Sequence, residues 1–597
     1  MKLKRTIISI VALMLAVCLM PTALAATWYL EDGDITVIAN ENGQSVKQGS
    51  NSAVADSDTV ITQRDSEKAT DNTITVSTTD DTTANITIED VNINSYGDAI
   101  DVGSSGANIT LEGDNKLNSE YGSGLHVSDG DVTITGSGSL EAGSKNDSNN
   151  NAAIGSHENE AMSGDITIGG DAQVTAVSRD DGAGIGSGDM GEMSGDITIG
   201  DNAQVTAWSE TGGAGIGSGR ESNMSGNITI GGSAQVTAGS NSETAGIGSG
   251  NNGVFTSTGR VVIRDSAKVT AIGENEGAGI GTGEDELMAG MIIIQDNAQV
   301  TAIAGDRAAA IGSDNLDEMT GTIIIIGNAR VTTGILDDDV YFDYNTKEIK
   351  YTLDENATGY IGDSKYSNHE SDEGHYIIGP DVTINGISGS DIEALKDYIN
   401  MRLSGENHDG EPENLTKLDV RSENGEFTVT AEGEGAVEKI LYGGSENVPT
   451  APGTYPVTCV VRIGEETIEF QIDTYVVPEP APQPEPMAHH TRIQLYRVAD
   501  KQGRSIAYKA VQKGGVLTIT TDEKEAQLII EHGGLFALSR QGITKIVFVT
   551  ASKKSAISVG AAMEKGSGEF VLLHSYRKVK LTVAGAAVDA DGILIKE

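Results

Sequence analysis

The chain has 597 residues, 88 acidic and 40 basic, for a formal net charge of -48. That balance argues against nucleic acid as a partner, because a phosphate backbone needs a basic footprint. With 75 glycines, 4% aromatic and 38% apolar residues, the composition fits neither an ordinary globular enzyme nor a disordered chain.

Residues 1–26 read as an export signal. Lys2, Lys4 and Arg5 precede an apolar run from Thr6 to Met20, and Ala23-Leu24-Ala25 supplies small residues for cleavage. The expected location is therefore extracellular or at the cell surface, with no membrane span once the signal is removed. Cys18 leaves with the signal and Cys459 remains alone, so neither an intrachain disulfide nor a thiolate metal site is expected. Residues 27–85, rich in Thr, Asp and Ser, are expected to form an N-terminal cap and the first coils.

From 86 to 333 the sequence repeats. A Gly-rich block recurs around Ile154, Ile185, Ile216, Ile247, Ile280 and Ile311, at spacings of 31, 31, 31, 33 and 31. Each block is followed by an apolar triplet, such as Ile166-Thr167-Ile168, and then by a Val-Thr pair, as at Val174, Val205 and Val236. Shorter repeats precede these at Ile86, Ile109 and Val132. Three short strands per repeat, separated by Gly/Asn/Asp/Ser turns, describe one coil of a parallel β-helix. With side chains alternating, Ile166 and Ile168 point in and Thr167 points out. One coil cannot bury its own apolar face, but stacking at about 4.8 Å per coil can. The column Asp171, Asn202, Ser233, Ser266, Asn297 and Asn328 predicts a polar ladder at a left-handed turn. Met162, Met193, Met224, Met288 and Met319 predict a core column.

The Gly-Ala-Gly-Ile-Gly-Ser-Gly blocks, the Gly-Asp-Ile-Thr-Ile triplets, Tyr96-Gly97-Asp98-Ala99-Ile100 and Ser128-Asp129-Gly130-Asp131-Val132 resemble secreted carbohydrate-binding β-helix proteins of clostridial-type bacteria. The likeness covers roughly 70–335. It implies a right-handed parallel β-helix that binds acidic polysaccharide with calcium, and it transfers no binding residue.

Residues 334–380 are expected to cap the solenoid and 381–477 to form an immunoglobulin-like module, including a helix over 391–403 and a strand at 427–430. The Pro-rich stretch 478–490 is a semi-rigid linker. Residues 491–597, with 16 basic and 10 acidic side chains, predict a small α+β domain with a helix near 535–540. Its basic balance suits an anionic cell-wall polymer, or simply a solvated surface. The predicted fold class is thus mainly β: a solenoid, an immunoglobulin-like module and a small α+β domain.

Candidate chemistry is sparse. Asp98, Asp101, Asp129, Asp131, Asp165 and Asp196 sit at expected coil corners, where oxygen ligands suit calcium. Asp180-Asp181 and Asp337-Asp338-Asp339 are acid pairs of the sort that solvated loops also carry. His369, His375, His489 and His490 are weak metal signals. Sugar contacts are expected from Tyr96, Tyr121 and Trp208, and from the outward ladder Thr167, Thr198 and Thr229, which stops at Val262, Ile293 and Ile324. The few basic residues of the repeats form no column with acids, and no hydrolase signature is present. The leading expectation is noncatalytic binding of a polysaccharide or host glycan, assisted by calcium. The alternatives are a structural adhesin or spacer, and a polysaccharide lyase.

Overall fold

A computed structural model describes residues 26–477 and 495–595, apart from short internal stretches such as 314–318, 363–373 and 400–413. The export signal before Ala26 and the linker 478–490 lie outside the described residues. The chain forms two compact units that divide between Glu479 and Pro480. Among the described residues no helix is long and apolar enough to cross a membrane.

The first unit is built on a parallel β-helix with three long sheets. In one coil the chain passes from Ile166–Ile168 in sheet 1 to Gln173–Ser178 in sheet 3, then Ile185–Gly186 in sheet 2, and back to sheet 1 at Ile197–Ile199. Like residues stack on like: Ile166 pairs with Ile197, then Ile228, Val261, Ile292 and Ile323. All six are fully buried. Repetition of an aliphatic side chain every coil thus becomes a continuous core column, the burial that drives folding. The methionines form another buried column, completed by Phe255 between Met224 and Met288.

Sheet 2 explains the Gly-rich blocks. Gly155, Gly186, Gly217, Gly248, Gly281 and Gly312 lie between φ 136° and 147°. A Cβ on Gly186 would meet the carbonyl oxygen of Gly217 at 1.7 Å. Only glycine permits both the backbone conformation and the close approach.

One turn differs from expectation. The left-handed residues between sheets 1 and 3 are Gly170, Asp201, Gly232, Asp265, Asp296 and Gly327, each one position before the expected column. Their aspartates cap the neighbouring coil: the N–H of Gly170 donates to Asp201 Oδ2 at 2.8 Å and that of Gly232 to Asp265 Oδ2 at 2.8 Å. The expected column still forms polar contacts between coils, with Asn202 Nδ2 donating to Asp171 Oδ1 at 3.0 Å. Asp and Asn both tolerate left-handed backbone, so residue type alone left the register of this turn open.

Both ends are closed. Ile35–Asn40 pairs in parallel with Ile74–Thr78 and antiparallel with Gly43–Gln48, which covers the N-terminal edge of sheet 2. Beyond Thr333, Ile361–Gly362, His375–Ile378 and Thr383–Ile384 continue sheets 2, 1 and 3. Leu415–Glu423 adds to sheet 1 and turns back as Glu426–Gly433. Of the helix expected over 391–403, Ile392–Leu395 forms, but Tyr398 lies in a turn and Ile399 bridges in parallel to Ile361, so the chain has returned to the solenoid by then.

Gly435–Tyr442, Gly453–Ile463 and Glu466–Val477 form a three-stranded antiparallel sheet, of the kind found in immunoglobulin-like modules. Its Val457, Cys459, Val461 and Phe470 pack with Leu418 against Ile293, Ile324 and Ile377, the outward residues of sheet 1. The outward ladder changes from Thr to Val and Ile at Val262 because the module covers that part of the face.

The second unit holds two five-stranded sheets and the helices Gly534–Arg540 and Val559–Met563, the first close to the predicted helix. Leu528, Ile546, Phe548, Phe570 and Leu572 form its core.

Candidate functional site

Three outward columns run along sheet 3. The first is Gln173, Gln204, Gln235, Lys268 and Gln299, and the second is Thr175, Thr206, Thr237, Thr270 and Thr301. The third, Val177, Trp208, Gly239, Ile272 and Ile303, is apolar. A hairpin of Tyr341–Asp343 and Glu348–Lys350 lies over the apolar column. Its Val340, Phe342 and Ile349 pack on Val177, Trp208, Ile272 and Ile303. Polar contacts fasten it as well: Lys347 Nζ donates to Glu141, Tyr344 Oη donates to Glu210, and the Arg179 guanidinium lies 4.4 Å from the Tyr344 ring centre.

The result is a trough. Its floor is the Gln and Thr columns, Lys347 and Glu141 stand among its lining residues, and its volume is about 600 Å³. Side-chain amides and hydroxyls recur once per coil, about every 4.8 Å. Each offers donors and acceptors to a ligand. Sequence reasoning missed this face. The Val-Thr pairs were visible, but the hairpin that raises one side of the trough lies outside the repeats.

The expected sugar-contacting residues separate. Trp208 is corrected: it is fully buried under the hairpin and presents no surface to a ligand. Tyr96 and Tyr121 are exposed, 72% and 51%, with ring centres 4.8 Å apart. They follow the sheet 3 strands Asn92–Ser95 and Asp114–Ser119, in coils that precede the trough. Thr167, Thr198 and Thr229 stack in register on the outer face of sheet 1, half-buried.

The six candidate calcium ligands fall into two groups. Asp131, Asp165 and Asp196 each receive the backbone N–H of the next coil, at 3.0, 2.8 and 2.9 Å from Asp165, Asp196 and Asn227. Asp129 accepts from Ser163 Oγ at 2.6 Å. These four therefore tie coil to coil. Asp98 and Asp101 instead meet histidines. His126 Nδ1 is 2.9 Å from Asp101 Oδ1, its Nε2 is 2.8 Å from Glu160 Oε2, and His157 Nε2 is 2.7 Å from Asp98 Oδ1. Burial opposes charge on His126, but the hydrogen bonds to Asp101 and Glu160 outweigh it and raise its pKa to about 9. Burial also opposes ionisation of Asp98, yet the hydrogen bond and charge of His157 hold its carboxyl below the usual range. The histidines were passed over because 31 residues part them from each other and 25 part His126 from Asp101.

Of the other candidates, Asp180 and Asp181 take a hydrogen bond from Thr211 Oγ1 at 3.2 and 3.0 Å, and Asp181 lies 3.1 Å from Arg220 Nε. His375 Nδ1 lies 3.3 Å from Glu434. Asp338, Asp339, His369, His489 and His490 lie outside the described residues. An unforeseen pair is Glu284 with Glu243: burial first, then the neighbouring carboxyl, raises Glu284 to about 7. Comparison with protein-family models, curated proteins and solved structures gives no match.

Proposed function

We propose that this protein is a noncatalytic, extracellular carbohydrate-binding β-helix that holds an extended polysaccharide along the sheet 3 trough. The observation that carries this reading is the trough itself, with parallel columns of Gln and Thr repeated once per coil. A polymer of pyranose rings has a repeat close to that spacing, so successive sugars meet equivalent amides and hydroxyls. Tyr96 and Tyr121 add aromatic faces, on which the apolar side of a sugar ring packs. The resemblance of the repeats to clostridial carbohydrate-binding solenoids supports the same ligand class. In the trough lining the carboxylate of Glu141 is paired with Lys347 and Lys268 stands in the Gln column, so the floor suits a neutral or acidic chain over a cation-rich one.

The test is a glycan array and a polysaccharide pull-down with the full chain, in calcium and in chelator. Binding is expected, and the double substitution Gln204→Ala, Gln235→Ala weakens it about ten-fold, the loss of two neutral hydrogen bonds. Thr167→Ala with Thr198→Ala, on the other face, leaves it unchanged. No binding in either condition rejects the reading in favour of a presenting spacer. Release of unsaturated sugars from pectate rejects it in favour of a lyase.

A further inference from the structure

We propose that His126, His157 and Asp98 form a binding site for one borderline transition-metal dication of the zinc type. This site lies apart from the trough and does not depend on glycan binding.

Three successive coils converge there. Asp98 precedes the sheet 2 strand Ile100–Gly103, His126 lies in Leu125–Val127, and His157 follows Ile154–Gly155. One ligand atom from each of Asp98, His126 and His157 lies within 4.8 Å of the others. The imidazole rings are parallel, 3° apart in plane and 3.8 Å between centres. Asp101 Oδ1 stands 2.9 Å from His126 Nδ1, on the nitrogen that faces Asp98.

The surroundings match those of ligating histidines. When His126 binds through Nδ1, its Nε2–H has an acceptor already placed, Glu160 Oε2 at 2.8 Å. A carboxylate behind a metal-bound imidazole sets its tautomer and orientation. Asp98 is itself held, accepting the N–H of Ser123 at 2.7 Å. Ser123 is fully buried, and its hydroxyl has no hydrogen-bond partner among the described residues. Two imidazole nitrogens with carboxylate oxygens suit zinc, cobalt, nickel or copper, whereas calcium takes six to eight oxygens.

The test uses the tag-free full chain, stripped with chelator. Titration with zinc by calorimetry is expected to give tight binding at one site, and cobalt at the same site develops visible absorption of a four-coordinate ion. His157→Gln, at a partly exposed position outside the core, weakens zinc binding at least ~10-fold while leaving circular dichroism and Tm of the metal-free chain in place. Glu160→Gln weakens it by about 10-fold or more, because Glu160 Oε2 holds His126 Nε2 at 2.8 Å and also lies 3.6 Å from His157 Nδ1. His126→Gln removes a buried ligand, and His157→Gln carries the test if that variant fails to fold. Zinc binding that is absent, that is equal in wild type and His157→Gln, or that millimolar calcium displaces overturns the proposal.

Discussion

At the scale of single residues, His574 carries the clearest pH dependence. It is fully buried in the second unit, with Nδ1 3.2 Å from Thr550 Oγ1 and Nε2 2.9 Å from Ser555 Oγ. Burial, and then the charge of Lys553, lowers its pKa from 6.5 to about 4. The unfolded chain therefore takes up a proton that the folded unit refuses. Stability from this group is complete above pH 6.5 and is lost as the pH falls toward 4. The expected loss is ~2–3 kcal/mol, read from urea unfolding of this unit at a series of pH values. His574→Gln flattens that slope; an unchanged slope refutes the assignment. Cys459 offers the contrasting case, a thiol that burial pushes up to about 12 and so keeps unreactive.

At the scale of elements, the glycines of sheet 2 and the hairpin over sheet 3 make opposite demands on the chain. Gly217 has φ 142°, and a Cβ there would lie 1.8 Å from the carbonyl oxygen of Gly248. Gly217→Ala is expected to cost more than ~4 kcal/mol, through strain at a special backbone position and a main-chain clash. Gly200, with nothing within 4 Å of its Cβ position, is the control: Gly200→Ala shifts Tm by little. Comparable thermal midpoints for the two variants would refute the argument. The hairpin instead depends on apolar contact. Phe342→Ala removes a side chain that packs over Trp208, at a local cost of ~3 kcal/mol. In a Trp28→Phe background only Trp208 of the two tryptophans remains, and its emission is expected to shift to the red as the hairpin lifts. Emission that stays blue would mean that the other contacts hold the hairpin down.

At the scale of the whole molecule, the repeat period of about 31 residues was enough to place three strands per coil, their inward isoleucines and the Met column. Periodicity reports which side chains recur, and recurrence along a parallel stack means contact between neighbouring coils. The left-handed turn position was placed one residue late because Asp, Asn and Gly at adjacent positions suit it alike. The loss of threonine at Val262, Ile293 and Ile324 was visible, but its cause, the antiparallel sheet lying on that face, was not. Trp208 read as an exposed aromatic because it occupies an outward register position, which the hairpin then covers. The His126–His157–Asp98 cluster escaped notice for a related reason, since His157 and Asp98 are 59 positions apart. The amino-acid order by itself determined the coil and its core, because these depend on local spacing and on like residues recurring. Only the tertiary structure decided which outward faces are covered, where a trough opens and which distant donors converge, because those depend on segments outside the repeat folding back across several coils.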